Sequence, residues 1–171
     1  LYSATDLVAF LECEHLTSLD LRALDDPALA SLRCATDESA ALIAHKGDQH
    51  ERRYLKLLRE QGRQLVDIAV AGVSIDQRVE RTLAAMREGV EVVYQATLHD
   101  GHWIGHADFL RRVDGEPSSL GAWRYEVADT KLARSPKAKF LVQLAFYSVL
   151  LAKVQGVAPR QMLVVVGAGT E

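Results

Sequence analysis

An α/β fold, a sheet with helices on its faces, is what this 171-residue sequence predicts, on three observations. Patterned segments run in the order helix, strand, helix, three strands, helix, strand, the alternation that lays helices over a sheet. Two strand-like runs, residues 90–99 and 103–113, are joined through Asp100-Gly101, a tight hairpin turn. Three helical segments stop at Gly62, Gly89 and Gly156, and glycine tolerates the left-handed backbone that closes a helix.

Taken in order, Ser3 with Asp6 forms a capping box, Asp standing in for the usual Glu, and opens a helix through about Glu14. Residues 16–36 set Pro27 inside a partly helical pattern and stay unassigned. A long helix is expected over 37–61, a strand over 64–71 and an amphipathic helix over 75–88. After the hairpin, a loop over 114–121 with Pro117 and two serines leads into a strand that carries Asp129. A helix over 137–155 and a strand over 160–166 complete the pattern.

The length and 49% hydrophobic content suit one domain over residues 1–171 with a proper core. A start at Leu1 and an end in an apolar run plus a Gly-Ala-Gly tail suggest a piece cut from a longer polypeptide. No uninterrupted apolar run approaches the roughly 18 residues that span a bilayer, and no basic-then-apolar leader opens the chain. The expectation is a cytoplasmic protein without a membrane partner. Cys13 and Cys34 are the only cysteines, too few for a four-thiolate cluster, and are expected to be small buried thiols.

The net charge of −3 conceals an asymmetry. From Thr130 to Thr170 there is no acid, while Lys131, Arg134, Lys137, Lys139, Lys153 and Arg160 are all basic. Such a stretch suits a polyanion, although solvated helix faces and a loop produce it as well. A second basic group, Arg52, Arg53, Lys56, Arg59 and Arg63, is diluted by Glu51 and Glu60.

Within the basic third stands Asp129-Thr130-Lys131, the one place where an acid precedes a lysine by two positions. On a strand both side chains leave the same face. With Asp108 on a preceding strand, they offer what metal-assisted phosphodiester cleavage requires: carboxylates for the cation and an ammonium for the attacked phosphate or the attacking water. Alone, the triplet also suits the solvated face of an edge strand.

Four ordered motifs give the triplet company: Gly47-Asp48-Gln49-His50-Glu51, Gly105-His106-Ala107-Asp108, Asp129-Thr130-Lys131 and Gln143 with Tyr147. With the opening Ser3-Ala4-Thr5-Asp6-Leu7 and Cys13-Glu14-His15-Leu16-Thr17, the chain resembles the RecB-like nucleases of the PD-(D/E)XK superfamily over nearly its whole length. The resemblance implies a restriction-endonuclease-like mixed sheet flanked by helices and hydrolysis of DNA, single- or double-stranded, in repair, recombination or processing. It also implies Mg²⁺ or Mn²⁺ and fusion to further nuclease-like or helicase regions. An iron-sulfur cluster, present in some relatives, is not expected because its cysteine ligands are missing. The alternative is a catalytically silent nucleic-acid-binding or structural module.

By the same resemblance, Asp108 and Asp129 are metal ligands, with the carbonyl of Thr130 as a third, and Lys131 acts on the phosphate. Hard cations take such oxygen donors. On a helix, Glu51 shares a face with Leu55 and Leu58, and His50 with Tyr54 and Leu57, so either side chain can approach the sheet. The glycine spacing favours Glu51, and His50 remains a ligand suited to Mn²⁺. Gln143 and Tyr147, four apart on one helix face, are expected to position the lysine and the strand, with Arg134, Lys137 and Lys139 contacting nucleic acid. They also suit a satisfied amide and a core tyrosine.

Overall fold

A computed structural model describes residues 1–33 and 38–167. Its elements are β1 (Tyr2–Ser3), α1 (Ala4–Glu12), α2 (Glu14–Arg22), α3 (Pro27–Ala30), α4 (Glu38–Glu60), β2 (Leu65–Asp67), α5 (Ile75–Arg87), β3 (Val92–His99), β4 (Trp103–Ser118), β5 (Gly121–Lys131), α6 (Ala138–Gln155) and β6 (Met162–Val166). The strands form one mixed six-stranded sheet in the order β2-β3-β4-β5-β6, with β1 beside the start of β4. β3, β4 and β5 are antiparallel neighbours, while β2 and β6 run parallel to theirs.

Helices cover both faces, giving three layers. On one face Met86 of α5 and Leu144, Tyr147, Leu150 and Leu151 of α6 pack over Val93, Leu110, Tyr125 and Val127. On the other, Leu55 and Leu58 of α4 pack over Val92, Phe109 and Ala128. Helix α6 packs against the sheet on one side and α1 on another, and leaves Leu141 and Val149 exposed. It is also the one helix among the described residues with the length and composition of a membrane crossing.

The Ser3 capping box forms as expected, the hydroxyl receiving the Asp6 N–H and the Asp6 carboxylate receiving the Ser3 N–H. Its helix stops earlier than expected, because Cys13 turns the chain and caps α2, its Sγ 3.4 Å from the Leu16 nitrogen. Cys13 is exposed, which corrects the expectation of a buried thiol; Cys34 lies outside the described residues. The unassigned stretch holds α2 and α3, the latter capped by Asp26 with Pro27 in its first turn, where proline's missing N–H costs nothing.

The strand expected over 64–71 shortens to three residues. The Asp67 carboxylate takes the Ala69 N–H and turns the chain out of the sheet. The loop expected over 114–121 is mostly strand: β4 runs on to Ser118 and pairs with Gly121, with a register shift between Asp114 and Ser118. Pro117, read as a loop signal, and Gly115 sit in that irregularity, where a missing N–H and a positive φ of 72° fit.

Candidate active site

The site forms where the central ladder ends. Phe109 pairs with Ala128, so Asp108 and Asp129 stand at the next step, facing each other across β4 and β5. Two facing carboxylates repel, and the Asp108 side chain takes over the hydrogen bonding: its Oδ2 receives the Thr130 N–H at 2.9 Å and the Thr130 hydroxyl at 3.1 Å. Thr130 is therefore fixed through its amide and hydroxyl.

Asp129 is 1% exposed, and its Oδ1 has no hydrogen-bond partner. Its close contact is the Lys131 ammonium, with Nζ 2.6 Å from Oδ2. Lys131 in turn lies 5.5 Å from the centre of the Phe140 ring at the start of α6, which places its charge against a ring face. The spacing of two along β5 is what brings ammonium and carboxylate together.

Burial resists ionisation of both acids. Asp108 is pushed up to about 6, first by burial and then by the Asp129 charge, against the pull of Thr130 and Lys131. Asp129 is raised by burial, with the Lys131 charge opposing. Glu51 is also raised, by burial and then by the Asp108 charge, while hydrogen bonds from Tyr94 and Gln95 oppose the rise. The three acids thus act on one another through their charges, each held back from ionising.

Of the two α4 candidates, Glu51 is the one brought toward the aspartates. His50 turns instead to β6, its Nε2 3.1 Å from the Val165 carbonyl oxygen. The arrangement separates two residues that helical periodicity alone left equivalent.

Gln95 is the residue the sequence reading missed. The pairings Tyr94–Phe109 and Ala96–Ala107 place it opposite Asp108, on the third strand of the same row. Among the described residues it is the one non-glycine at positive φ, 53°. A strand residue in that conformation carries strain of about 1–2 kcal/mol, which the surrounding structure must sustain. Its amide Nε2 donates to Glu51 Oε1 at 2.5 Å. The facing pattern also changes here: Tyr94 and Phe109 pack under α4, whereas Ala96 and Ala107 belong to the core of the other face. No local signal announces it, since Gln is unremarkable in a strand and its partner is 44 residues away.

Gln143 and Tyr147 meet on α6, where the amide Nε2 donates to the phenolic oxygen at 2.9 Å. The hydroxyl of Tyr147 is pushed up to about 12, mainly by burial, and feels the charges of Asp129 and Asp108. Its ring also explains Gly105: a Cβ there would lie 2.9 Å from Tyr147 Cδ1 and 3.0 Å from Leu150 Cδ1. The glycine lets α6 settle on β4 and bring Tyr147 to the acids. Gly47 has no such reason, because a Cβ there meets nothing within 4 Å.

The basic third is less free than its sequence suggests. Lys139 pairs with Glu12 at 3.2 Å, Lys153 with Asp100 at 2.5 Å and Arg160 with Glu116 at 2.6 Å. Arg134 and Lys137 are exposed and have no ion pair among the described residues. Acids distant in sequence thus neutralise half of the stretch, although exposed pairs of this kind are weak and exchange readily.

Among the described residues, no three His, Cys, Asp or Glu side chains converge as they stand into a metal-holding group. The chemistry of the donors nevertheless suits a small divalent cation: the Asp129 carboxylate with its free Oδ1, Asp108 opposite it and Glu51, which feels the Asp108 charge, are all hard oxygen donors. No family model, curated protein or solved structure matches this chain.

Proposed function

We propose that the chain is a metal-dependent nuclease that hydrolyses phosphodiester bonds of DNA. The observation that carries the reading is Asp129: a buried carboxylate whose Oδ1 has no partner, whose Oδ2 meets the Lys131 ammonium, and which faces Asp108 across the ladder. Buried anions are normally paired and fully hydrogen-bonded, whereas this one has a single cation and a second acid opposite it, a cost that a function can explain. Asp108, Asp129 and Glu51 would hold Mg²⁺ or Mn²⁺, with the Thr130 carbonyl as a further oxygen donor. When bound, the cation would polarise a phosphoryl oxygen and ease ionisation of water.

The chain's own residues have separate tasks. Lys131, 21% exposed, reaches solvent from a buried strand and can meet a phosphate oxygen as charge develops on it. Gln95 holds Glu51 toward Asp108 through its amide. Tyr147, fixed by Gln143, stands within range of the Asp129 and Asp108 charges on the α6 side. Arg134 and Lys137, exposed and unpaired, are placed to meet backbone phosphates, with Lys139 joining once its pair with Glu12 opens.

Incubation of the protein with end-labelled single- and double-stranded DNA in Mg²⁺, Mn²⁺ or EDTA tests the reading. Metal-dependent cleavage is expected, absent from Asp108→Ala and Asp129→Ala. DNA binding without cleavage in either metal would instead identify a silent nucleic-acid-binding module.

A further inference from the structure

We propose that the cleft between α4 and the paired ends of β5 and β6 is a binding site for one strand of nucleic acid, on the segments that also carry the candidate site. The identity of the polyanion rests on the nuclease reading; the cleft itself rests on geometry. It has a volume of about 560 Å³, within the range of sites that hold a small organic ligand. One wall is a strip of α4 carrying Lys46, His50, Arg53 and Leu57, spaced by three or four residues and so on one side of the helix. Leu132 and the end of β6 form the other wall.

Three features select a nucleic-acid strand. Lys46 and Arg53 are exposed, and neither has an ion pair among the described residues, whereas Lys56, Arg63, Lys139, Lys153 and Arg160 are each paired with an acid. Uncompensated cations flanking a groove recruit phosphates. Between them the lining is largely apolar, with Leu57, Leu132 and the Tyr54 ring, which Phe109 holds edge-on at 5.0 Å between centres. A rigid aromatic beside aliphatic surface accepts a base. Finally, His50 and Leu132 stand next in the chain to Glu51 and Lys131, so the cleft borders the two segments that carry site residues. The His50 bond to the Val165 carbonyl ties α4 to β6 and fixes the width of the groove.

Fluorescence anisotropy of a labelled 12-nucleotide oligo(dT), its duplex and an oligo(U), in EDTA and over a salt series, tests the site apart from cleavage. Doubly substituted Lys46→Glu/Arg53→Glu protein should bind the single strands at least ten-fold more weakly. Its slope of log affinity against log salt should be shallower by about 1.4, or 0.7 per lost phosphate contact. Arg59→Glu, on the same helix but outside the cleft, should stay within two-fold of wild type. Wild-type cleavage and binding with an unchanged double variant overturns the cleft alone. Wild type that neither binds nor cuts any of the three probes removes the nuclease reading and the proposal with it. Lys46→Ala/Arg53→Ala, with folding checked by circular dichroism, replaces the charge reversal if that variant fails to fold.

Discussion

Asp108→Asn should make the metal-free protein more stable while removing its proposed activity. The carboxyl of Asp108 stands at about 6 in the fold against an ordinary 3.8, so the fold holds its proton more tightly than the unfolded chain does. Its contribution to stability is therefore complete below pH 3.8 and is lost as pH rises through about 6. At pH 7.5 the ionised group costs the fold up to about 3 kcal/mol, less whatever relaxation and solvent return. An asparagine oxygen can keep both bonds from Thr130, and its NH₂ can donate where the Asp108 charge now repels Asp129. The expected gain is about 1–3 kcal/mol, or about 3–8 °C in Tm for a chain of this size. Thermal unfolding in EDTA at pH 7.5 should show it, and the gap from wild type should narrow toward pH 4.5. Adding Mn²⁺ should raise the Tm of wild type more than that of the variant. A variant no more stable than wild type at pH 7.5, with a gap that does not change with pH, would refute the strained pair.

Four further outcomes follow from particular contacts. Gln95→Gly releases the left-handed backbone and removes the donor to Glu51, so Tm should hold or rise while calorimetric Mn²⁺ affinity falls several-fold; equal affinity removes Gln95 from the site. Gly105→Ala should destabilise by about 1–3 kcal/mol in denaturant titration, because its methyl meets Tyr147 and Leu150. Gly47→Ala meets open space in a helix interior and should stabilise by about 1 kcal/mol in the same assay. Lys131→Ala should keep DNA affinity but slow single-turnover cleavage at least about a hundredfold, and Lys131→Arg should recover little of that loss because a planar guanidinium replaces a compact ammonium.

The placing of Asp108, Asp129 and Lys131 near one another was legible in the sequence. Asp129 and Lys131 share a face because strand side chains alternate, and a hairpin of two strands brings Asp108 opposite whenever the register allows. Helix ends were legible too, since Ser3, Gly62, Gly89 and Gly156 act on the backbone within a few residues. The extent of β4 was not. Proline and glycine announce a break in local conformation, but the cross-strand bonds of β5 carry the ladder around it.

Sequence by itself determined what depends on neighbours in the chain: the alternation of helix and strand, the caps, and the carboxylate–ammonium spacing in β5. Tertiary structure alone decided the rest. Glu51 and His50 are adjacent on one helix, and only the docking of α4 on the sheet sends one to Gln95 and the other to Val165. Likewise, Glu12, Asp100 and Glu116 come from three separate elements to meet Lys139, Lys153 and Arg160, so a basic stretch of sequence becomes a half-neutralised surface. Charge and ligand geometry depend on distance in space, and at separations of tens of residues that distance is set by packing of the core.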